Sequence, residues 1–105
     1  MRLIPISLFC TLATAPTISL ADDIDAGRAL VETNCAGCHA VANTDASRHP
    51  DAPPLRILSQ RYPLENLEEA FAEGISTGHP DMPEFIATPE QIAAILAYIG
   101  SLQAP

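Results

Sequence analysis

Two cysteines and a histidine stand close together in the run Cys35-Ala36-Gly37-Cys38-His39. Two thiols at positions i and i+3 lie on one side of a helical turn, where both can form thioethers with the vinyl groups of a porphyrin. The histidine that follows directly places its imidazole under the ring, where a neutral nitrogen can bind iron. The C-x-x-C-H spacing therefore predicts one covalently attached haem c, held through Cys35 and Cys38, with His39 as an axial ligand.

Three other kinds of site use similar residues, and each fits this chain less well than haem attachment does. A zinc site needs about four ligands, so the two cysteines and the adjacent histidine would require His49 or His79 as well. A thioredoxin-like dithiol belongs to a βαβ unit, and the sequence has no strand pattern of useful length. A structural disulfide would not need a histidine directly after the second cysteine. Haem attachment is therefore the favoured interpretation.

The iron of such a site has either an open position or a second axial ligand from elsewhere in the chain, for which the candidates are Met82, His79 and His49. A lone methionine often fills a gap in a core. However, the neighbours of Met82 are not core residues; they are Asp81, Pro83 and Glu84. Because a thioether is a soft, neutral ligand that raises the potential of haem iron, we favour Met82. His79 is the next choice, and His49 is interpreted as a solvated loop residue.

The N-terminal segment predicts export. Arg2 is followed by an uncharged, largely apolar run, and Ser19-Leu20-Ala21 offers small residues at the two positions that define a cleavage site. A retained membrane anchor is the alternative, because an apolar run of this length is borderline for spanning a bilayer. We expect a signal peptide over residues 1–21, a monohaem domain over residues 22–105 and a periplasmic location.

The net charge of the chain limits the classes of macromolecule that it is expected to bind. Five basic residues, all of them arginines, oppose 13 acidic residues, and the formal net charge is −8. Such a chain lacks the cationic surface that binds phosphate backbones, so nucleic acid is not an expected partner. We expect redox proteins with basic docking patches as partners, and no stable membrane insertion after cleavage. The protein is expected to be a monomer or a subunit of an oxidoreductase.

The apolar patterning predicts an all-α fold, and a length of 105 residues suits one domain. Helical segments are predicted over residues 22–34, 55–60, 63–74 and 89–102. Two long loops, over residues 40–54 and 76–87, are rich in proline and polar residues.

The ends of these helices carry recognisable signals. Asp22 or Asp23 is expected to cap the first helix. Pro63 is expected at the first position of the third helical segment, and Gly74 is expected to end it. The run Thr88-Pro89-Glu90-Gln91 predicts a capping box at the start of the last helix.

Together these features resemble the small class I cytochrome c family over nearly all of the mature chain. The resemblance rests on Gly27, the C-A-G-C-H run, Pro53-Pro54-Leu55, the run Gly78-His79-Pro80-Asp81-Met82-Pro83, and the last helix with Tyr98. It implies three to five helices around one covalently bound haem. It also implies that the first and last helices cross at a small residue and an aromatic, for which Gly27 and Tyr98 are the matching positions.

The resemblance implies roles for two further residues. The carbonyl of Pro53 would accept a hydrogen bond from the second ring nitrogen of His39, and such bonds orient a ligating imidazole. Arg61 stands where some members place a basic residue near a haem propionate, and a solvated surface arginine is the alternative. The chain has no lysine, so the lysine-ringed docking face of mitochondrial members is not expected.

The expected function is one-electron transfer by a protein that is not itself an enzyme. Two alternatives stay open. One is a haem subunit of a larger exported oxidoreductase, and the other is a ligand-binding, sensor or peroxidase-like haem protein. The second alternative would require Met82 to be off the iron. No acid–base pair or nucleophile arrangement stands out in the sequence, so the protein is not expected to be an enzyme in its own right.

Overall fold

Helices make up the regular structure of this protein. The computed structural model describes residues 1–15, 17, 19–75 and 79–104. Its elements in chain order are α1 (Leu20–Asn34), a 3-10 helix (Leu55–Gln60), α2 (Leu64–Ala72) and α3 (Pro89–Leu102). Within the described ranges there is no strand, only an isolated antiparallel bridge between Ile75 and Phe85. The predicted all-α fold is therefore confirmed.

The N-terminal segment lies outside the helical domain. Residues 1–15 and 17 have no regular structure and are exposed, including the large apolar side chains from Leu3 to Leu12. None of the helices in the described part of the chain is both long and apolar enough to span a bilayer.

Helix α1 begins earlier than the sequence predicts. Its N-cap is Ser19, whose hydroxyl accepts a hydrogen bond from the backbone N–H of Asp22 at 3.2 Å. The expectation that Asp22 or Asp23 caps this helix is therefore wrong. Both aspartates stand in the first turn instead, where their negative charge still suits the positive end of the helix dipole. A serine with extended backbone just upstream is an equally good cap, and it takes that position.

The signals at the other helix ends are largely confirmed. Thr88 and Gln91 form both hydrogen bonds of the predicted capping box. Gly74 follows the last turn of α2 with a φ of 81°, a left-handed conformation that glycine adopts without strain. Pro63 is the N-cap of α2 rather than its first helical residue, because its ψ of 132° is extended.

The first and last helices cross at Gly27. A Cβ at this position would lie 2.6 Å from the carbonyl carbon of Ala94 and 2.9 Å from the Cβ of Tyr98, and closer still to the Ala94 oxygen. No side chain fits in that space, so glycine allows the two backbones to touch. The predicted crossing of Gly27 with Tyr98 is confirmed, and the backbone of Ala94 also takes part in it.

Among the helices, α3 supplies the largest share of the core. Its buried residues are Ile92, Ala94, Ile95, Tyr98, Ile99 and Leu102. Val31 of α1 packs against this face, together with Leu55 and Leu58 of the 3-10 helix and Phe71 of α2. One polar group enters the core, because the buried Tyr98 hydroxyl donates a hydrogen bond to the carbonyl oxygen of Val41. This bond ties α3 to the loop that follows Cys38 and His39.

Replacing Tyr98 with phenylalanine tests how much the hydrogen bond from Tyr98 to Val41 contributes to stability. The change keeps the ring and leaves the Val41 carbonyl without its donor, so we expect a loss of about 1–2 kcal/mol in the free energy of unfolding. Guanidinium unfolding of the haem-loaded protein measures it. Tyr62→Phe is the matched control, because Tyr62 is 53% exposed, and we expect it to change stability by less than about 0.5 kcal/mol. Equal effects of the two changes would contradict the assignment.

Candidate cofactor site

A cavity of about 790 Å³ opens between the 3-10 helix, α2, α3 and the two long loops. Its volume lies within the usual range of cofactor and ligand sites. Much of its wall is apolar and comes from Leu55, Leu58, Phe71, Ile75, Phe85, Ile95 and Ile99. The six residues predicted to attach, ligate or contact the haem also line it, namely Cys35, Cys38, His39, Pro53, Arg61 and Met82.

Helix α1 delivers the two cysteines to the wall of this cavity. Cys35 is the C-cap of α1, and its backbone N–H donates to the carbonyl of Val31. One further turn follows, in which the N–H groups of Cys38 and His39 donate to the Cys35 carbonyl at 3.2 and 2.9 Å. Both thiols are free and half-buried. The turn therefore brings the thiols and the imidazole to one cavity.

Burial raises the pKa of the Cys35 thiol above its usual value. The neutral thiol is therefore favoured over the thiolate at this position. Rapid disulfide exchange uses the thiolate, so the environment of Cys35 disfavours it.

The imidazole of His39 is oriented by a hydrogen bond to a backbone carbonyl. Its Nδ1 lies 2.7 Å from the carbonyl oxygen of Pro53. A carbonyl only accepts hydrogen bonds, so Nδ1 carries a proton and donates, and in the neutral ring Nε2 then has the free lone pair. The same loop is anchored nearby, because the N–H of Leu55 donates to the carbonyl of Ala40 at 2.9 Å. This is the arrangement of a histidine prepared to bind a metal through Nε2.

Met82 reaches the cavity from the loop before α3. Its side chain is half-buried and packs against the hydrophobic core. Its backbone N–H donates to the carbonyl of His79 at 3.2 Å, which closes a turn around Pro80. Gly78, part of the same predicted motif, lies outside the described residues. The structure thus places a thioether, an imidazole and two thiols around one cavity.

Comparison with known proteins agrees with this geometry. The family model for cytochrome c matches residues 24–103. The chain belongs to the cytochrome c family. It is 34% identical to cytochrome c-552 of Bradyrhizobium diazoefficiens over 98 residues, which covers 93% of this chain and 92% of that protein. It is 29% identical to a cytochrome c-553-like protein of Synechocystis over 104 residues, which covers 95% of this chain and 92% of that protein. No solved structure matches significantly.

Membership identifies the chain as an electron carrier of the cytochrome c type rather than an enzyme. The residues of this cytochrome c also suit the family's prosthetic group. The cavity wall is apolar enough to cover a porphyrin, and Nε2 of His39 has the lone pair that iron needs.

Arg61 stands at the rim of the cavity. It is exposed, caps the end of the 3-10 helix through its backbone N–H to the Leu58 carbonyl, and lines the opening. The placement brings a positive charge to the edge of an apolar site. Its role towards a haem propionate stays a prediction.

Sequence reasoning missed a group of polar residues on the same wall of this cytochrome c. His49 is not a solvated loop residue, because its side chain is only 24% exposed and its Nε2 lies 3.0 Å from a carboxylate oxygen of Asp81. His79 is half-buried, and its Nε2 lies 3.2 Å from a carboxylate oxygen of Asp51. The tripeptide His-Pro-Asp occurs at 49–51 and again at 79–81, and this repeat was the available signal.

The zinc interpretation fails on geometry. In the part of the chain that is described, the group of side chains close enough to share a metal ion is His49, Asp51 and His79. Neither cysteine belongs to it. The thiols therefore do not form a zinc site with His49 or His79.

Proposed function

We propose that this cytochrome c is a periplasmic one-electron carrier, with haem attached to Cys35 and Cys38 and ligated by His39 and Met82. The single observation that carries the proposal is the cavity, where the two thiols, the oriented imidazole and the thioether all line one apolar space. When bound, the haem supplies the iron that alternates between two oxidation states. The chain supplies attachment, orientation and exclusion of water.

Each residue has a distinct part in this proposal. Cys35 and Cys38 hold the porphyrin by thioether bonds, so it cannot dissociate. Pro53 keeps the proton of His39 on Nδ1 and thereby keeps Nε2 available for iron. Met82 would supply the second ligand to the iron, which would raise the potential and close the iron to small molecules. Arg61 would supply a positive charge for a propionate at the rim of the cavity.

Partner choice follows from charge. The full chain has a formal net charge of −8, and cleavage would also remove the positive Arg2, so the carrier would be attracted to basic docking patches on its donor and acceptor proteins. Such contacts are brief and weakened by salt, which suits a shuttle.

Export completes the proposal. Cleavage after Ala21 would release residues 22–105 to the periplasm and would remove the exposed apolar segment. It would also remove Ser19, the N-cap of α1. Asp22 and Asp23 would then stand at the new start of the helix, where their carboxylates suit the dipole.

Haem retention tests this function. The protein should be produced in cells that carry a haem-attachment system, then unfolded and extracted with acidified organic solvent. We expect the haem to stay on the chain, because thioether bonds survive both treatments. We also expect the intact mass to equal residues 22–105 plus one haem. Changing Cys35 and Cys38 together to alanine should release the haem.

Cys10→Ala provides the matched control, because Cys10 is exposed and lies in the segment expected to be removed. This variant should retain haem like the unaltered protein. Extraction of haem from the unaltered protein would disprove covalent attachment. Ready binding of carbon monoxide by the reduced protein would favour a sensor or peroxidase-like role over a shuttle.

A further inference from the structure

Two His-Pro-Asp segments meet beside the cavity. They are residues 49–51 and residues 79–81, and we call them the HPD pair. The His49 ring and the His79 ring pack edge to face, with centroids 5.3 Å apart and an interplanar angle of 89°. All four titratable members, His49, Asp51, His79 and Asp81, line the cavity wall.

The hydrogen bonds between the two segments are reciprocal. Nε2 of His49 lies 3.0 Å from Oδ2 of Asp81, and Nε2 of His79 lies 3.2 Å from Oδ2 of Asp51. Each histidine thus bonds to the aspartate of the other segment. Two segments thirty positions apart are joined at two points by the same kind of bond.

The second nitrogen of each ring fixes the position of its proton. Nδ1 of His49 accepts a hydrogen bond from the backbone N–H of Asp51 at 3.0 Å, and Nδ1 of His79 accepts one from Asp81 at 3.2 Å. A nitrogen that accepts a hydrogen bond carries no proton, so in the neutral ring the proton is on Nε2. Both Nε2–H groups therefore donate to the carboxylates across the pair.

This arrangement favours a hydrogen-bonded clamp over a metal site. Ligand atoms of His49, Asp51 and His79 do lie within 4.8 Å of one another. However, a histidine that binds a metal through Nε2 normally donates its Nδ1–H to an acceptor. In the HPD pair Nδ1 faces a backbone donor instead, so a metal at Nε2 would force two N–H groups against each other at each ring.

The HPD pair connects the two sides of the candidate site. On one side, the backbone N–H of His49 donates to the carbonyl of Cys38 at 3.1 Å, so the first segment is joined to the attachment turn. On the other side, the N–H of Met82 donates to the carbonyl of His79 at 3.2 Å, and Asp81 directly precedes Met82. The His49–Asp81 and His79–Asp51 hydrogen bonds, which we call the cross-bonds, therefore link the Cys38 side to the Met82 side.

We propose that the HPD pair is a positioning device that holds the Met82 segment over the cavity and so keeps the Met82 sulfur on the iron. The proposal rests on the proposed function, because it concerns Met82 as an axial ligand. His49, Asp51, His79 and Asp81 act through the backbone of Met82 rather than on the haem. The loop that carries Met82 is thus held in place by hydrogen bonds from its own residues His79 and Asp81 to the first segment.

The first test reads the proton positions. In the reduced, diamagnetic holoprotein, ¹⁵N-detected imidazole correlations should assign both His49 and His79 to the Nε2–H tautomer. The tautomers and the sulfur-to-iron band are separate signals, so the clamp and the Met82 ligation can fail independently. Nδ1–H tautomers at both rings would overturn the clamp.

The second test breaks the clamp without touching the Met82 segment. His49→Ala and Asp51→Ala each remove one cross-bond, and the double variant removes both. If each bond has the usual net strength, each single change should raise the population with Met82 off the iron about three- to tenfold. The double variant should raise it about ten- to a hundredfold, if the effects combine independently. The carbon monoxide association rate of the reduced protein follows that population.

Two matched variants separate clamping from general damage. Asp51→Asn keeps an oxygen that accepts from His79, so it should restore most of the slow carbon monoxide binding seen in the unaltered protein. Glu68→Ala removes one exposed carboxylate on α2 that does not line the cavity, and it should leave the rate unchanged.

The outcomes distinguish the two proposals. If the unaltered protein lacks the near-infrared sulfur-to-iron band, Met82 ligation is wrong and the proposed function fails. If that band is present but the double variant binds carbon monoxide no faster than Glu68→Ala, the clamp is wrong and the function stands. Asp51→Asn behaving like Asp51→Ala would also count against the clamp.

Discussion

Replacing Met82 with alanine should abolish the weak near-infrared sulfur-to-iron charge-transfer band of the oxidised protein and lower its reduction potential. The reason is that alanine offers no ligand, so the iron loses the soft donor that stabilises its reduced state. The open position should then bind cyanide or carbon monoxide. If Met82 occupies the iron in about 99% of molecules, the apparent affinity for carbon monoxide should rise about a hundredfold. Absorption spectra and a redox titration measure all three effects.

Two further variants identify the ligand. Met82→His should keep the iron six-coordinate at a lower potential, because imidazole replaces the thioether. His79→Ala should leave the band in place, since we assign His79 to the HPD pair rather than to the iron. Loss of the band in His79→Ala with its retention in Met82→Ala would reverse the assignment.

Replacing Gly27 with alanine should be among the most destabilising single changes in the chain. The added Cβ would lie 2.6 Å from the Ala94 carbonyl carbon and 2.9 Å from Tyr98 Cβ. Because part of the clash is with backbone, α1 and α3 would have to move apart. We expect a loss of about 2–3 kcal/mol in the free energy of unfolding, despite the roughly 1 kcal/mol that alanine gains in helix propensity.

Gly100→Ala gives the matched comparison. Gly100 is also helical, but a Cβ there would meet only the Leu64 side chain at an ordinary 3.8 Å. Alanine should therefore stabilise the protein by about 0.5–1 kcal/mol. Denaturant unfolding of both haem-loaded variants checks the pair. Equal stabilisation by the two changes would show that α1 and α3 are not in backbone contact at Gly27.

Much of the fold follows from local signals that need no tertiary information. The capping box at Thr88 satisfies its own helix end, and it forms where the sequence predicts it. The 3-10 helix also occupies the predicted residues, Leu55–Gln60. The approach of Gly27 to Tyr98 was implied by family resemblance, because nothing local explains a glycine inside a helix.

Other features could not be predicted from the sequence, either because they join residues that are distant along the chain or because two neighbouring residues suit the same position equally well. The hydrogen bonds of the HPD pair join segments thirty positions apart, so no local pattern predicts their contact. The repeated tripeptide His-Pro-Asp was the sequence signal for it. Ser19 and Asp22 are both good N-caps, so composition alone could not decide between them. The six residues predicted to attach, ligate or contact the haem come together around one cavity only when the helices are packed.

The contact between α1 and α3 also orders events during biosynthesis. Chains are made from the N-terminus, so α1 and the Cys35–His39 turn emerge first and α3 emerges last. Until α3 arrives, Gly27 has no partner and the core cannot close. On the proposed function, both thiols would therefore remain accessible to the attachment machinery until α3 has emerged.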